Sequence, residues 1–260
     1  VEDGSLIVNY PGHGGEAGWG HERVLLVSDI DSWENTNSYP LFVTATCEFS
    51  RFDDPARTSA GELVLLDEHG GIGLMTTVRL VFSSPNFVLN QSFFNHVFIP
   101  ASGVMPTMGE VFLTVKNQNA GVANNRNFTL LGDPALRLAY PEYNAITTQI
   151  DGNNVSASDT LKALQKVTIT GEVRDASGVK MSNFNGIIYP TVFDKQKQLT
   201  CFANDGGNAF SFGLQTNKLF KGKVSVTNGD FSYTFVVPKD ISYNYGNGKL
   251  SYYAEDQAVD

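Results

Sequence analysis

The sequence predicts an α/β unit over residues 1–140, with a parallel or mixed sheet, followed by an all-β, immunoglobulin-like sandwich over residues 141–260. Three observations lead there. Strand-like and helix-like runs alternate as far as about residue 140, the pattern of a sheet covered by helices. Within that part, two apolar, β-prone runs, Ser5 to Tyr10 and Leu41 to Thr46, each stop just short of a reactive side chain, His13 and Cys47. From Pro141 onward the helical periodicity vanishes, and short alternating strands separated by turn residues take over.

Taken in order, Ser5 to Tyr10 reads as a buried strand. Pro11 to Gly20 is a glycine-rich loop carrying His13 and Trp19. An apolar run, Val24 to Val27, precedes a short helical turn over Ser28 to Trp33. Asn35 to Pro40 is a polar connector, and Leu41 to Thr46 is the second strand. Glu48 to Thr58 is a charged loop. Ser59-Ala60-Gly61-Glu62 has capping-box spacing ahead of Leu63, Leu65 and Leu66, so a helix starts there. Gly70-Gly71 stops it, and Ile72 to Thr77 is the next strand. Phe87, Asn90, Phe94, Val97 and Phe98 recur at near-helical spacing. Thr107-Met108-Gly109-Glu110 opens a further helix, and Phe128 to Leu138 closes the unit. In the second part, Val167 to Val173, Ile187 to Phe193, Val224 to Val226, Phe231 to Val237 and Lys249 to Ala254 are strands. Thr227-Asn228-Gly229-Asp230 between two of them is a hairpin signal.

Composition narrows the function. Eighteen phenylalanines and ten tyrosines fit many half-buried strands. The net charge is −9 and no basic cluster occurs, which argues against a nucleic-acid partner. No Cys/His group has metal-ligand spacing, and no cofactor is expected. The longest apolar stretch, Gly71 to Phe82, is interrupted by Thr76, Thr77 and Arg79, so no membrane-spanning helix is expected. No signal peptide opens the chain, and Val1 reads as the middle of a domain. The two cysteines, Cys47 and Cys201, are expected as free thiols, with Cys201 a packing residue in Leu199-Thr200-Cys201-Phe202.

The chemistry collects at the two strand ends. In an open α/β sheet the carboxyl ends of parallel strands face one crevice. If the two strands are neighbours, His13 and Cys47 meet there, with the imidazole as base or thiolate partner. The N–H groups of Gly14 and Cys47 would hold the oxyanion of a tetrahedral intermediate, and Gly12, Gly14 and Gly15 would let the backbone come close enough. Other readings remain open. A cysteine at a strand end also fits a small buried hydrophobe, and Gly-His-Gly-Gly also fits a tight turn. Trp19 either caps a pocket or anchors the core. Asp53, with Arg51, Asp54 and Arg57, either reads substrate or belongs to a solvated loop with local ion pairs.

Tyr10-Pro11-Gly12-His13-Gly14-Gly15 and Thr44-Ala45-Thr46-Cys47-Glu48-Phe49 together resemble the gingipain family of caspase-like cysteine peptidases. So do Phe52-Asp53-Asp54-Pro55, Ser59-Ala60-Gly61-Glu62, Gly70 to Val81 and Leu131 to Leu138. The resemblance runs on through Phe184 to Lys195 and Val237 to Ile241. Within the family it points to the sortase of the type IX secretion system. It implies that residues 1–140 are the C-terminal part of a caspase-like peptidase domain, with His13 and Cys47 catalytic. It also implies that the acid orienting the histidine lies before Val1, so that the isolated chain has little activity. The implied substrate is the C-terminal signal domain of secreted cargo, passed to a lipopolysaccharide amine. The implied setting is the cell surface at the outer membrane, with a β-barrel partner resembling PorV. A non-catalytic surface assembly module and a hydrolytic gingipain-like protease are the rival expectations.

Overall fold

The computed structural model describes Val1 and residues 4–156, 160–204 and 206–256, and the chain forms two compact units, Val1–Tyr140 and Pro141–Asp260. The first contains β1 (Ile7–Pro11), β2 (Gly14–Gly15), β3 (Gly18–Trp19), β4 (Leu25–Leu26), α1 (Val27–Ile30), β5 (Leu41–Ala45), α2 (Ala60–Leu66), β6 (Gly73–Thr77), α3 (Ser83–Phe94), α4 (Met108–Gln118) and β7 (Phe128–Gly132). Its sheet has the order β1-β5-β6-β7. The β1–β5 and β5–β6 pairs are parallel and β6–β7 is antiparallel, so the sheet is mixed.

All five residues of β5 and all five of β6 are buried, because helices cover the sheet on both faces. Leu41, Val43 and Met75 point to one face, against Leu89 and Phe93 of α3 and Val111 and Val115 of α4. Phe42 and Leu74 point to the other, against Trp19, Ile30, Phe49 and Val64. This alternation gives a continuous apolar strand two faces to bury. Polar side chains within the layer pair with one another: Thr44 Oγ1 donates to Thr76 Oγ1 at 2.8 Å, and Ser50 Oγ lies 2.8 Å from the same atom. Both capping boxes form. The Ser59 N–H donates to Glu62 at 2.8 Å, and the Thr107 N–H to Glu110 at 2.8 Å.

The second unit contains β8 (Asn144–Ile150), β9 (Asn153–Asn154), β10 (Lys166–Arg174), β11 (Gly186–Phe193), β12 (Lys197–Thr200), β13 (Ser211–Leu214), β14 (Lys218–Lys221), β15 (Val224–Val226), β16 (Asp230–Val236) and β17 (Lys249–Asp256). One sheet runs β16-β10-β8-β9. In another, β11 pairs with β14 and β15 along one edge and with β17 along the other. Both contribute to one core, with Val167, Ile169 and Phe231 from the first and Ile188 and Val192 from the second. The Asn228-Gly229 turn forms with both residues at positive φ, 51° and 80°. The strands it joins, however, belong to different sheets: β15 pairs with β11, and β16 with β10. Cys201 also departs from expectation. It sits half-buried where β12 of the exposed β12–β13 hairpin runs into the connecting loop, and its Sγ accepts from the Phe210 N–H at 3.3 Å. Among the described residues no helix is long and apolar enough to cross a membrane.

Asp194, 2% exposed, ties the end of β11 to two later segments. Its carboxylate accepts from the Ser242 N–H at 2.9 Å, the Lys195 N–H at 2.8 Å and Asn217 Nδ2 at 3.2 Å. Burial by itself would raise its pKa. The hydrogen bonds outweigh burial and hold it below the ordinary aspartate value. A lowered folded-state pKa contributes stability above the unfolded value of about 3.9 and loses it as pH falls through the folded one. Asp194→Asn should therefore cost about 2 kcal/mol at neutral pH. In urea melts over a pH series, its gap to the parent chain should close as the solution becomes more acidic than about pH 4.

Candidate active site

Register places the two reactive residues. In the β1–β5 ladder Ile7 faces Leu41, and each later pair follows at the same offset, to Pro11 opposite Ala45. The Gly12 N–H continues the ladder to the Ala45 carbonyl at 3.2 Å. His13 and Cys47 are separated by that same offset. They leave adjacent parallel strands at the same carboxyl edge, where neighbouring strands lie about 4.8 Å apart.

The backbone at each side is held firmly. The His13 carbonyl accepts from the Gly20 N–H at 2.7 Å and from the Tyr10 hydroxyl at 2.9 Å. Its imidazole is exposed, with no hydrogen-bond partner among the described residues, and faces the His21 ring at 6.1 Å between centroids. The two rings and Gly14, Gly15, Gly18 and Gly20 wall a cavity of about 270 Å³. Cys47 does not line it. Gly18, at φ +141°, packs against the Leu25 carbonyl where any Cβ would collide, so the loop can fold back only with glycine there.

Cys47 is half-buried, and its Sγ–H points to the Val81 carbonyl at 3.7 Å. The next residue, Glu48, has φ +48°, a left-handed conformation uncommon for a residue with a side chain. That turn is fixed by the Glu48 N–H on the Arg79 carbonyl at 3.3 Å and the Ser50 N–H on the Thr77 carbonyl at 3.0 Å. Thr77 Oγ1 also donates to the Thr46 carbonyl. The result is a sharp reversal directly behind the thiol.

The two amides considered for an oxyanion are both available. The Cys47 N–H meets no acceptor among the described residues. In the β2–β3 ladder the pair His13–Gly20 is hydrogen-bonded. By alternation, Gly14–Trp19 is then a non-bonded pair whose N–H groups point away from each other. Gly14 also packs directly on Thr46, where a Cβ would strike Oγ1. The amide-bearing backbone of the histidine loop thus touches the residue before the cysteine.

Two expected pocket residues lie elsewhere. Trp19 is 7% exposed and stacks on Tyr10 at 4.5 Å, with Phe49 at 5.4 Å and Phe42 at 6.2 Å. It is a core anchor beneath the loop, because an indole in that aromatic cluster gains more from burial than from covering an open cavity. Asp53 does not offer a free carboxylate either. Both its oxygens accept from Arg79, which holds its pKa below the ordinary range. The other loop charges are also engaged: Arg51 and Arg57 bond Glu16 at 2.8 and 3.1 Å, and Asp54 accepts from the Ala56 N–H at 2.9 Å. The partners Glu16 and Arg79 lie far from the loop in sequence, so these are not the local pairs anticipated. Among the described residues no cluster of three or more His, Cys, Asp or Glu side chains could hold a metal.

The family model for Peptidase family C25 matches residues 1–139. No curated protein matches the chain. Among solved structures it is similar to dimeric latent PorU from Porphyromonas gingivalis, at 27% identity over 62% of this chain and 16% of that one, with a TM-score of 0.43. It is also similar to the Arg-specific cysteine proteinase gingipain R, at 18% identity over 96% of this chain and 50% of that one, with a TM-score of 0.46. A third similarity is to the complex of Porphyromonas gingivalis RgpB pro- and mature domains, at 17% identity over 96% and 52%, with a TM-score of 0.46. The chain thus spans 16% to 52% of the length of these proteins.

The contact of Gly14 with Thr46 generates a prediction. Gly14→Ala should destabilise the chain by about 2 kcal/mol through overpacking. Adding Thr46→Ala should recover part of that loss, and a double-mutant cycle from urea melts measures the coupling.

Proposed function

This chain belongs to peptidase family C25, and from that premise we propose that Cys47 and His13 are the working pair of a cysteine peptidase. The Cys47 sulfur attacks the carbonyl carbon of a peptide bond as its proton passes to the His13 imidazole. The carbonyl oxygen takes up the negative charge and is met by the Gly14 and Cys47 amides. Collapse breaks the C–N bond, and His13 returns the proton to the leaving amine. A thioester on Cys47 remains. The observation that carries this reading is the shared register of the β1–β5 ladder, which brings both residues off one sheet edge.

The proposal extends to the fate of the thioester. An amine that attacks it in place of water forms a new amide and releases the Cys47 thiol, which makes the enzyme a sortase. We take the substrate to be the C-terminal signal domain of type IX secretion cargo, and the acceptor to be a surface lipopolysaccharide. The setting would be the outer face of the outer membrane, beside a β-barrel partner resembling PorV. The sequence resemblance supports these points. The second unit is proposed as an immunoglobulin-like sandwich. The pairing of β10 with β8 and β16 in one sheet, and of β11 with β17 in the other, supports that assignment.

Iodoacetamide followed by mass spectrometry tests the pair. Cys47 should label about tenfold faster than Cys201 near pH 6, and His13→Ala should remove the difference. Equal labelling in the parent chain would leave the first unit as an inert assembly module. With a cargo-derived peptide, product analysis with and without an added amine separates transfer from hydrolysis.

A further inference from the structure

Glu16 lies in the histidine loop, two residues past Gly14, and its side chain is only 11% exposed. One carboxylate oxygen accepts from Arg51 at 2.8 Å, and the other pairs with Arg57 at 3.1 Å. Both arginines belong to the loop that follows Cys47. Arg51 also approaches Glu48, the residue after the thiol, at 3.9 Å. The backbone adds a third tie, since the Glu16 carbonyl accepts from the Ala60 N–H at 2.7 Å, at the first turn of α2. The next residue of α2 is bound to the cysteine loop as well, through the Gly61 N–H on the Phe49 carbonyl at 2.8 Å. One acidic residue therefore joins the histidine loop, the cysteine loop and a helix terminus.

This clamp acts where the sheet no longer can. The β1–β5 ladder fixes the two strands only as far as Gly12 and Ala45. Beyond that point His13 rides on a loop walled by glycines, which is conformationally free unless tied down. Past that point no ladder joins the two segments, and they are held together by contacts between the loops: Gly14 on Thr46, Trp19 on Phe49, and the ties of Glu16. The Glu16 carboxylate is largely shielded from water while Arg51 and Arg57 are 39% and 61% exposed, so the tie lies between a buried and a surface ion pair and draws its geometry from two guanidinium groups on one carboxylate.

We propose that Glu16 is a positioning residue: by holding Arg51 and Arg57 it locks the histidine loop to the cysteine loop and sets the approach of the His13 ring to Cys47. This rests on the His13–Cys47 reading above. Glu16 touches neither the thiol nor the imidazole in its own right. Its effect passes through the relative placement of two backbone segments.

The test uses the full chain and compares Glu16→Gln, Arg51→Met/Arg57→Met and His13→Ala. Alkylation of Cys47 is measured against Cys201, an internal control in the other unit, at about pH 6 and about pH 8. A purely structural loosening exposes the thiol and speeds its labelling at both pH values. Loss of positioning instead slows labelling at the lower pH, where the thiolate depends on the imidazole, and leaves the higher-pH rate equal or raised. We expect Glu16→Gln and the double arginine variant each to lower the rate near pH 6 about tenfold, as a small misplacement of reacting groups does. If Glu16→Gln labels Cys47 at the parent rate or faster near pH 6 while His13→Ala slows it, the clamp is overturned and the catalytic pair survives. If His13→Ala has no effect, the pair is overturned and the clamp with it.

Discussion

The fold and the chemistry both hang on the parallel register between β1 and β5. A parallel pair cannot be closed by a tight turn. It needs a crossover, and here the connection carries the glycine loop, its small β2–β3–β4 sheet and α1. Parallel pairing sends both strands out of the sheet in the same direction, so whatever follows them shares one rim. A slip of one residue would turn every side chain of β5 to the opposite face. Phe42 would then leave its aromatic layer for the α3–α4 layer, and Leu41 and Val43 would leave theirs in exchange, so the packing of both faces fixes the register. The same packing fixes which residue of the first loop stands opposite Cys47.

Around that rim the chain satisfies its own charges. Glu16 takes Arg51 and Arg57, and Asp53 takes Arg79. What is left at the carboxyl edge is a half-buried thiol, an exposed imidazole and two backbone amides without described acceptors. The tight turn at Glu48 belongs with this arrangement, since a left-handed residue with a side chain persists only where its surroundings hold it. Here the β6 end and the segment after it supply that hold through the Thr77 and Arg79 carbonyls. The second unit uses the same device for a different purpose. Asp194 is buried and saturated with donors, and it fastens loops where no sheet ladder reaches.

Much of this was legible in the sequence because the signals were local. Capping boxes at Ser59 and Thr107, continuous apolar runs at Leu41 to Ala45 and around Gly73 to Thr77, and the Asn228-Gly229 turn each act within a few residues. What was not legible depends on distant partners. The hairpin turn fixed its own geometry but not its pairing, because β15 and β16 each bury an apolar face against a different sheet. Trp19 was ambiguous until Tyr10, Phe42 and Phe49 gathered around it from three separate segments. Glu16 carries a faint signal in the sequence, as a lone acid directly after Gly-His-Gly-Gly with no other Asp, Glu, Lys or Arg between Pro11 and Gly20, but the arginines it holds come from the loop after the next sheet strand. Asp53 misled for the converse reason: its partner Arg79 follows the next strand, and sequence alone shows a carboxylate but not what occupies it.

The central claim is that His13 and Cys47 come off one sheet edge side by side. Its most direct test is to replace the ring by a second thiol. His13→Cys, in a Cys201→Ser background, puts two sulfurs at the ends of adjacent strands, whose ladder spacing of about 4.8 Å lies within the roughly 4.4–6.8 Å Cα separation a disulfide needs. Under mild oxidation the account predicts quantitative, concentration-independent closure of a disulfide between the introduced thiol and Cys47, seen as an intact-mass loss of two hydrogens and a linked peptide after digestion. Two thiols that stay free under those conditions, or that link only between molecules, would contradict it.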